Sequence, residues 1–206
     1  MKLKVHFILS MMIFGTVGIF VRYIDLPSSE IALMRGFIGS LFLLGMTIVT
    51  KQKISWTNIK KNFLVLLLSS FALAINWILL FEAYKYTTIA NASLSYYFAP
   101  VFVIIMSPYV LKEKISLKKA ICISFAILGM FLIVQNRGNS GAQYNHLLGI
   151  CYGIAAAIFY ATLMLTNKFI KDMSGLETTL IQLTLATIML IRSEERRVGK
   201  ECSQGV

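Results

Sequence analysis

Residues 62–81 read NFLVLLLSSFALAINWILLF, a run of twenty residues without a charged side chain. About 20 mostly apolar residues are enough for a helix to cross the hydrocarbon core of a bilayer. Because backbone polar groups in that core must be satisfied within the segment, a single run of this kind crosses as a helix. The run therefore predicts an all-α integral membrane protein.

The composition of the whole chain agrees with this prediction. Of the 206 residues, 57% are hydrophobic and 14% are charged, and the mean hydropathy is +0.74. In soluble domains about a quarter of the residues are charged. The formal net charge of +11 would suit a nucleic-acid-binding protein only if the basic residues clustered on a folded surface, but here they lie in short gaps between apolar runs. Nucleic acid is therefore excluded as a partner, and membrane lipids are expected instead.

Six further stretches are uncharged or nearly so, and with residues 62–81 they predict a polytopic bundle of seven spans. They cover residues 5–21, 31–50, 86–111, 120–136, 147–167 and 178–191. A cleavable signal peptide is the alternative for the first of them. No Ala-x-Ala-like site follows it and the next span begins almost at once, so we expect a retained helix.

The distribution of Lys and Arg orients the bundle, because cytoplasmic loops carry an excess of both. If the N-terminus is cytoplasmic, the inner side holds twelve of these residues and the outer side four, with the residues after Ile191 set aside. The inner set is Lys2, Lys4, Lys51, Lys53, Lys60, Lys61, Lys112, Lys114, Lys118, Lys119, Lys168 and Lys171, and the outer set is Arg22, Arg35, Lys85 and Arg137. This bias predicts a cytoplasmic N-terminus.

Residues 192–206 differ in character from the rest of the chain. They carry four basic and three acidic residues among fifteen, directly after a seventh span of only fourteen uncharged residues. The stretch RSEERRVGKEC at residues 192–202 fits, codon by codon, the translation of a widely used sequencing adapter. We therefore expect a non-native tail and a natural protein that continues past Ile191. Genomic DNA that reads through to the same residues and a stop codon would contradict this expectation.

Two parts of the chain resemble each other weakly. Aligning Glu30 with Glu177 also pairs Arg35 with Gln182. Chance similarity between apolar helices is the alternative to a duplication. A duplication predicts a five-helix unit at residues 1–136, an outer loop at residues 137–146 and the start of a second unit at residues 147–191. The second unit is inverted in the membrane, because an odd number of spans reverses the direction of entry.

Several short motifs then occur in a recognisable order. Glu30 and Arg35 open the second span, FEAYKYTTIANA stands at residues 81–92, and LKEKIS stands at residues 111–116. In this the chain resembles the EamA family of the drug/metabolite transporter superfamily. The resemblance covers residues 14–135 as one whole unit and residues 149–191 more loosely. It implies two five-helix units, about ten helices in all, that move small metabolites across the bacterial inner membrane, so about three spans are absent from this chain.

The fourth span carries polar groups that are expensive in hydrocarbon and therefore informative. Pro100 cannot donate a hydrogen bond to the carbonyl of Tyr96, and broken helices of this kind line cavities. Asn76 lies fourteen residues above Asn62, and Tyr97 lies fourteen residues above Leu111, so the two are at one depth. The predicted substrate pocket consists of Asn76, Trp77, Asn91, Ser95, Tyr96, Tyr97 and Pro100. The alternative is an aromatic belt in which Trp77 and the tyrosines face lipid.

Two other features have less specific interpretations. Arg35 lies about one turn into the second span, where it snorkels outward, pairs with Glu30 or presents a cation to an anionic substrate. Small residues recur every four positions along the sixth span, at Gly149, Gly153, Ala157 and Ala161, and this stripe favours a helix contact. The middle of each complete span lacks an acidic residue, so the sequence names no coupling carboxylate.

Other classes of protein fit the sequence less well than a transporter of a small-molecule metabolite. An enzyme is disfavoured because His6 and His146 lie on opposite predicted sides, and neither Gly-x-Ser-x-Gly nor His-Glu-x-x-His occurs. The three cysteines form no metal or redox motif, so neither a cofactor nor a metal is expected. A small multidrug exporter that oligomerises is an alternative, but that class resembles a four-span protein with a Glu in its first span, and residues 5–21 contain none. A non-transporting membrane scaffold is the remaining alternative.

Overall fold

The computed structural model describes residues 12, 16, 18–21, 23–24, 26–52, 54–112, 117–135 and 145–204, and every regular element within them is helical. The helices in chain order are α1 (Ser28–Val49), α2 (Trp56–Lys61), α3 (Phe63–Tyr86), α4 (Ile89–Tyr96), α5 (Ala99–Leu111), α6 (Leu117–Gln135), α7 (His146–Asn167) and α8 (Gly175–Gln204).

Four segments of the described chain are long and apolar enough to cross a membrane. They are α1, α3, the combined segment Ile89–Leu111 of α4 and α5, and α7. The expected fold class, an all-helical polytopic membrane protein, is therefore confirmed.

The observed helices differ from the predicted spans mainly at their ends. Helix α3 continues past residue 81 through Glu82 and Lys85 to Tyr86, and α8 continues past residue 191 to Gln204. Hydropathy marks only the apolar part of a helix, whereas Glu, Lys and Arg are good helix formers and extend it into the polar region. The short helix α2 has no apolar run of its own and escaped the sequence analysis for the same reason.

The first predicted span, residues 5–21, lies mostly outside the described residues. Residues 12, 16 and 18–21 are helical. A Cβ added at Gly18 would lie 2.7 Å from Cγ2 of Ile89, so this segment packs closely against the start of α4.

Helix α3 lies at the centre of the described bundle. It packs against α7, α8 and α1, while α8 also packs against α1, and α4 and α5 pack against α7. Small side chains fill the contacts, since Ala72, Ala83, Ala156 and Ala161 are buried. Close backbone approach through small residues is how helices associate when no water drives them together.

Helix α1 turns a row of large apolar side chains outward. Phe37, Ile38, Leu41 and Phe42 are all exposed on it. An outward apolar face of this kind suits contact with lipid chains rather than with water.

The predicted inner end of the bundle is the end that carries residues 50–62 and 168–177. Here the side chain of Asn62 donates from Nδ2 to the Lys171 carbonyl at 2.9 Å and accepts from the Lys171 N–H at 3.2 Å. Close by, the buried carboxylate of Glu177 accepts a hydrogen bond of 2.8 Å from the Ser55 N–H. These bonds join residues 55–62, at the start of α2 and α3, to residues 171–177, at the start of α8.

The opposite, predicted outer end carries its own contacts. The Ser28 hydroxyl donates to the carboxylate of Glu82, which links the start of α1 to the end of α3. The Thr87 hydroxyl lies 2.9 Å from Nδ1 of His146, the first residue of α7. The two ends of the bundle are thus held by separate sets of polar contacts.

Candidate functional site

The fourth predicted span is interrupted just before Pro100, as this proline predicts. Helix α4 ends at Tyr96 and α5 begins at Ala99, with Pro100 in its first turn. The Tyr97 N–H bonds to the Ser93 carbonyl, so the last turn of α4 closes before the break. The interruption leaves Tyr96 at the end of a helix, where its ring lies 5.4 Å, centroid to centroid, from that of Tyr160 on α7.

Arg35 points into the bundle. Its guanidinium carbon lies 4.8 Å from the ring centroid of Trp77 and 5.9 Å from that of Phe81. Trp77 is only 8% exposed, so this stacking takes place among the helices. Interaction of a cation with the face of an indole is favourable, more so where water is excluded. The structure therefore places the guanidinium of Arg35 against the aromatic side chains of α3.

Gly36 explains how Arg35 comes so close to α3. A Cβ added at Gly36 would lie 2.5 Å from Oγ1 of Thr187 and 3.5 Å from the Trp77 ring. The missing side chain lets α1 sink between α8 and α3, which carries the base of Arg35 inward.

Asn76 is fully buried and its amide orientation is fixed by α7. Nδ2 donates to the Ala156 carbonyl at 2.7 Å, whereas Oδ1 accepts no hydrogen bond. The phenol of Tyr96 lies beside this amide, and it interacts electrostatically with the guanidinium of Arg35. An unsatisfied buried acceptor costs about 1–3 kcal/mol and is rare in folded proteins.

These side chains form one group that we call the arginine–tyrosine cluster. Arg35, Tyr96 and Tyr160 are half-buried in it, while Asn76 and Trp77 are buried. The complete cluster consists of Arg35, Asn76, Trp77, Phe81, Tyr84, Tyr96 and Tyr160.

Of the seven residues in the predicted pocket, three lie in this cluster: Asn76, Trp77 and Tyr96. The other four lie elsewhere. Tyr97 is 62% exposed and Pro100 is also exposed, both on the outside of the bundle. The hydroxyl of Ser95 donates to the Asn91 carbonyl at 2.7 Å within α4. Asn91 itself lies nearer the predicted outer end, where its Nδ2 is 3.4 Å from the Thr87 hydroxyl.

Sequence reasoning missed Phe81, Tyr84 and Tyr160. A signal for the first two was available, because Trp77, Phe81 and Tyr84 are spaced four and seven residues apart and so share one face of α3. The Tyr84 hydroxyl lies 3.4 Å from the Ser93 hydroxyl, which ties this face to α4. Tyr160 offered no comparable signal, since only the packing of α7 brings it to Tyr96.

The small-residue stripe of the sixth predicted span lies along buried contacts of α7. A Cβ added at Gly149 would lie 2.6 Å from the Cβ of Thr87, and one at Gly153 would lie 2.7 Å from the Cβ of Ser95. Ala157 and Ala161, farther along the stripe, are fully buried. The stripe sets the distance between α7 and α4 and so the distance between Tyr160 and Tyr96.

A second polar group lies on the side of α3 toward the predicted inner end. Nε2 of Gln182 donates to the Ser69 hydroxyl at 2.7 Å and to Oδ1 of Asn167 at 2.6 Å. A cavity of about 350 Å³ lies between α3, α5 and α7, and it is lined by Leu64, Val65, Leu68, Met106, Val110, Thr162, Leu165, Thr166 and Phe169. Its lining is almost entirely apolar, so the groups that recognise polar ligands are found in the arginine–tyrosine cluster and not here.

Among the described residues, no group of three or more His, Cys, Asp or Glu side chains is arranged so that it could hold a metal ion. The cluster instead offers one guanidinium, phenol hydroxyls, an amide and aromatic faces. Groups of these types make hydrogen bonds, ion pairs and ring contacts.

Comparison with known proteins places the chain in a family. The model of the EamA-like transporter family matches residues 4–135. The chain is 31% identical to the "Uncharacterized transporter YxxF" of Bacillus subtilis over 201 residues, which are 98% of the chain and 65% of that protein. It is 26% identical to an "Uncharacterized transporter" of Archaeoglobus fulgidus over 162 residues, which are 78% of the chain and 54% of that protein.

A human protein is also similar. "Solute carrier family 35 member G1" of Homo sapiens is 29% identical over 177 residues, which are 80% of the chain and 47% of that protein. The chain thus spans between about half and two thirds of the length of these relatives. No solved structure matches it. With the family model covering more than half of its residues, the chain, a multi-pass membrane protein, belongs to the EamA-like transporter family.

Proposed function

We propose that the chain works in a bacterial inner-membrane transporter, with a cytoplasmic N-terminus, that moves small metabolites by alternating access between two inverted units. The observation that carries this proposal is the arginine–tyrosine cluster, in which Arg35 and Asn76 lie among packed helices. Ionisable and polar groups within membrane helices are expensive, and they mark substrate pathways. Relatives named as transporters support the same conclusion.

The packing of α1 against α8 supports an inverted pair of units. The alignment of Glu30 with Glu177 has an offset of 147 positions (177 minus 30). If a two-fold axis relates α1 to α8, a residue of α1 and the residue of α8 aligned with it must lie next to each other where the helices cross. Gly36 packs on Thr187 and Gly39 packs on Leu183, so the two helices run antiparallel. Positions 38 and 185, which differ by 147, lie between these two contacts, as the axis requires. The residues 1–136 and 147–191 remain our proposed units.

The polar contacts at the two ends suit the proposed mechanism. Alternating access requires that one end opens while the other stays closed. Asn62 and Lys171 join the two proposed units at the predicted inner end. At the predicted outer end Thr87 contacts His146, the residue directly before the second unit. Each set consists of a few hydrogen bonds, which can break without unfolding a helix.

The test is an efflux measurement that presumes no substrate class. Proteoliposomes containing the chain are loaded with a small-molecule extract of bacterial cells, and mass spectrometry follows which compounds leave them. We expect a small set of compounds to leave faster than from empty liposomes. Tyr96→Phe is expected to slow this efflux, because it removes the hydroxyl that lies beside Asn76.

Tyr97→Phe is the matched control. It makes the same chemical change at the next residue, whose side chain is exposed on the outside of the bundle, and it should leave the efflux unchanged. Efflux equal to that of empty liposomes would refute the transporter proposal and favour a non-transporting scaffold. Equal effects of the two substitutions would move the substrate path away from the cluster.

A further inference from the structure

The cavity of about 350 Å³ between α3, α5 and α7, which we call the lateral groove, lies at one end of these helices. Its lining residues on α3 follow Phe63, the first residue of that helix, and those on α5 and α7 precede the last residues, Leu111 and Asn167. They all lie within about 8 Å of these ends, at a rise of about 1.5 Å per residue. Half of the hydrocarbon core is about 15 Å thick. The lateral groove therefore lies within a single leaflet of a bilayer.

The lateral groove opens at the outer surface of the bundle. Leu64 and Leu68 on α3 line it and are 78% and 54% exposed, and Phe169, just after α7, is also exposed. At this depth in a membrane such a surface is in contact with lipid chains.

The lining favours a hydrocarbon chain over a polar ligand. Only two of the nine lining side chains, those of Thr162 and Thr166, carry a hydroxyl group. The Thr162 hydroxyl donates to the Ile158 carbonyl at 3.0 Å, and the Thr166 hydroxyl donates to the Thr162 carbonyl at 2.6 Å. Both hydroxyl protons are thus bound to α7 itself, so the lining side chains offer a ligand mainly apolar contacts.

Basic residues surround the mouth of the lateral groove, where the three helices end. Among the described residues 56–62, 112 and 168–177, the acidic side chains are those of Asp172, which is exposed, and Glu177, which is buried and accepts from the Ser55 N–H. Five lysines are exposed in the same segments, namely Lys60, Lys61, Lys112, Lys168 and Lys171. Lysines at a membrane surface attract anionic lipid headgroups.

We propose that the lateral groove binds an acyl chain of an anionic glycerophospholipid, whose phosphate lies against Lys61 and Lys112 at the mouth. Lys61 stands three residues before Leu64, and Lys112 stands two residues after Val110. The apolar stem of a lysine lies along such a surface while its ammonium group reaches the headgroup. A second copy of the chain suits this face less well, because a parallel two-fold pair would bring lysines together with lysines. The proposal does not depend on transport.

Two photoactivatable lipids test the proposal. Phosphatidylglycerol and phosphatidylcholine with identical acyl chains, each carrying a diazirine in the upper half of one chain, are added separately to phosphatidylcholine vesicles that contain the protein. After irradiation, mass spectrometry identifies the labelled residues. We expect phosphatidylglycerol to label the lining residues about tenfold more than phosphatidylcholine does, and high salt to reduce this preference. The outward face of α1, with Phe37 and Phe42, should be labelled equally by both lipids.

Substitutions separate the headgroup contact from the chain contact. Lys61→Gln combined with Lys112→Gln should remove the preference for phosphatidylglycerol. Lys51→Gln is the matched control, because Lys51 is exposed at the same end, follows a helix that does not line the groove and has a left-handed backbone like that of Lys112, with φ of 49° and 56°. Met106→Phe fills the groove and should reduce labelling by both lipids, whereas Ile105→Phe, at an exposed neighbour outside the lining, should not.

The labelling of the wild-type chain decides the question even if a variant fails to fold. Equal labelling of the lining residues by the two lipids would refute the headgroup contact. Labelling of the groove no stronger than that of α1 would reduce it to general lipid contact and refute the site. Unlabelled lining residues, together with dimers in native mass spectrometry, would assign the groove to a second copy, and unlabelled lining residues in a monomer would equally overturn the proposal. The efflux measurement judges transport separately.

Discussion

Replacing Gly153 by alanine tests the packing that positions the cluster. The added Cβ would lie 2.7 Å from the Cβ of Ser95 and 3.3 Å from the Ala92 carbonyl oxygen, both on α4. Carbon atoms pack best about 3.5–4.0 Å apart, so α4 and α7 must separate by about 1 Å. Overpacking of this kind costs about 1–3 kcal/mol. Alanine recovers about 0.5–1 kcal/mol of helical propensity, so a net destabilisation of about 1–2 kcal/mol is expected.

The assay is thermal unfolding of the chain in detergent micelles, followed by circular dichroism. Gly129→Ala on α6 is the matched control, because a Cβ there meets nothing within 4 Å. It should leave the midpoint unchanged or raise it by the gain in propensity. Gly153→Ala should lower the midpoint, because the added Cβ forces Ser95 and the rest of α4 away from α7. Equal midpoints for the two variants would refute the close α4–α7 contact.

Two further substitutions test the polar contacts outside the cluster. Gln182→Leu removes a buried hydrogen bond to the Ser69 hydroxyl and a partly buried one to the exposed Asn167, so we expect a destabilisation of about 1–3 kcal/mol in the same unfolding assay. Gln52→Leu, at an exposed position, is the control. A Gln182 variant as stable as its control would contradict these bonds. Asn62→Ala removes the two hydrogen bonds to the Lys171 backbone. Hydrogen exchange of the backbone amide of Lys171 should therefore accelerate about tenfold. Asn145→Ala, at the other end of the bundle, should leave this exchange rate unchanged. An unaltered exchange rate would show that this contact does not hold the predicted inner end together.

Four of the seven predicted spans, residues 31–50, 62–81, 86–111 and 147–167, correspond to segments long and apolar enough to cross a membrane, because hydropathy measures the property that a bilayer selects. The predicted span at residues 147–167 differs from α7 by one residue at its start, and the interruption before Pro100 followed from the missing N–H of proline. Hydropathy predicted neither the presence of α2 nor the length of α8, since neither is determined by contact with lipid.

The sequence predicted the depth of the candidate site along the helices, but it did not predict the rotation of each helix about its own axis. Counting residues from the helix ends placed Asn76 and Tyr97 at one level, and nothing in the sequence indicated which side of each helix faces the interior. Adjacent residues on a helix point about 100° apart, which is why Tyr96 lies in the cluster and Tyr97 lies on the outside. The direction of the Arg35 side chain could not be predicted, because the sequence does not show which helices pack against α1. In the structure Gly36 lets α1 lie close to both Thr187 on α8 and Trp77 on α3.

The proposed two-fold relation pairs Arg35 with Gln182, and the contrast between these two residues explains why the site lies on one side of the bundle. Both side chains reach α3, Arg35 at Trp77 and Gln182 at Ser69, eight residues apart and therefore separated by about 12 Å along the helix. Gln182 directs both of its amide protons to side chains, those of Ser69 and Asn167, so its donors serve the fold. The guanidinium of Arg35 instead stacks on the aromatic face of Trp77. Two units of common origin would thus differ at equivalent positions, with an amide that joins α8 to Ser69 and Asn167 in one unit and a guanidinium that stacks on Trp77 in the other.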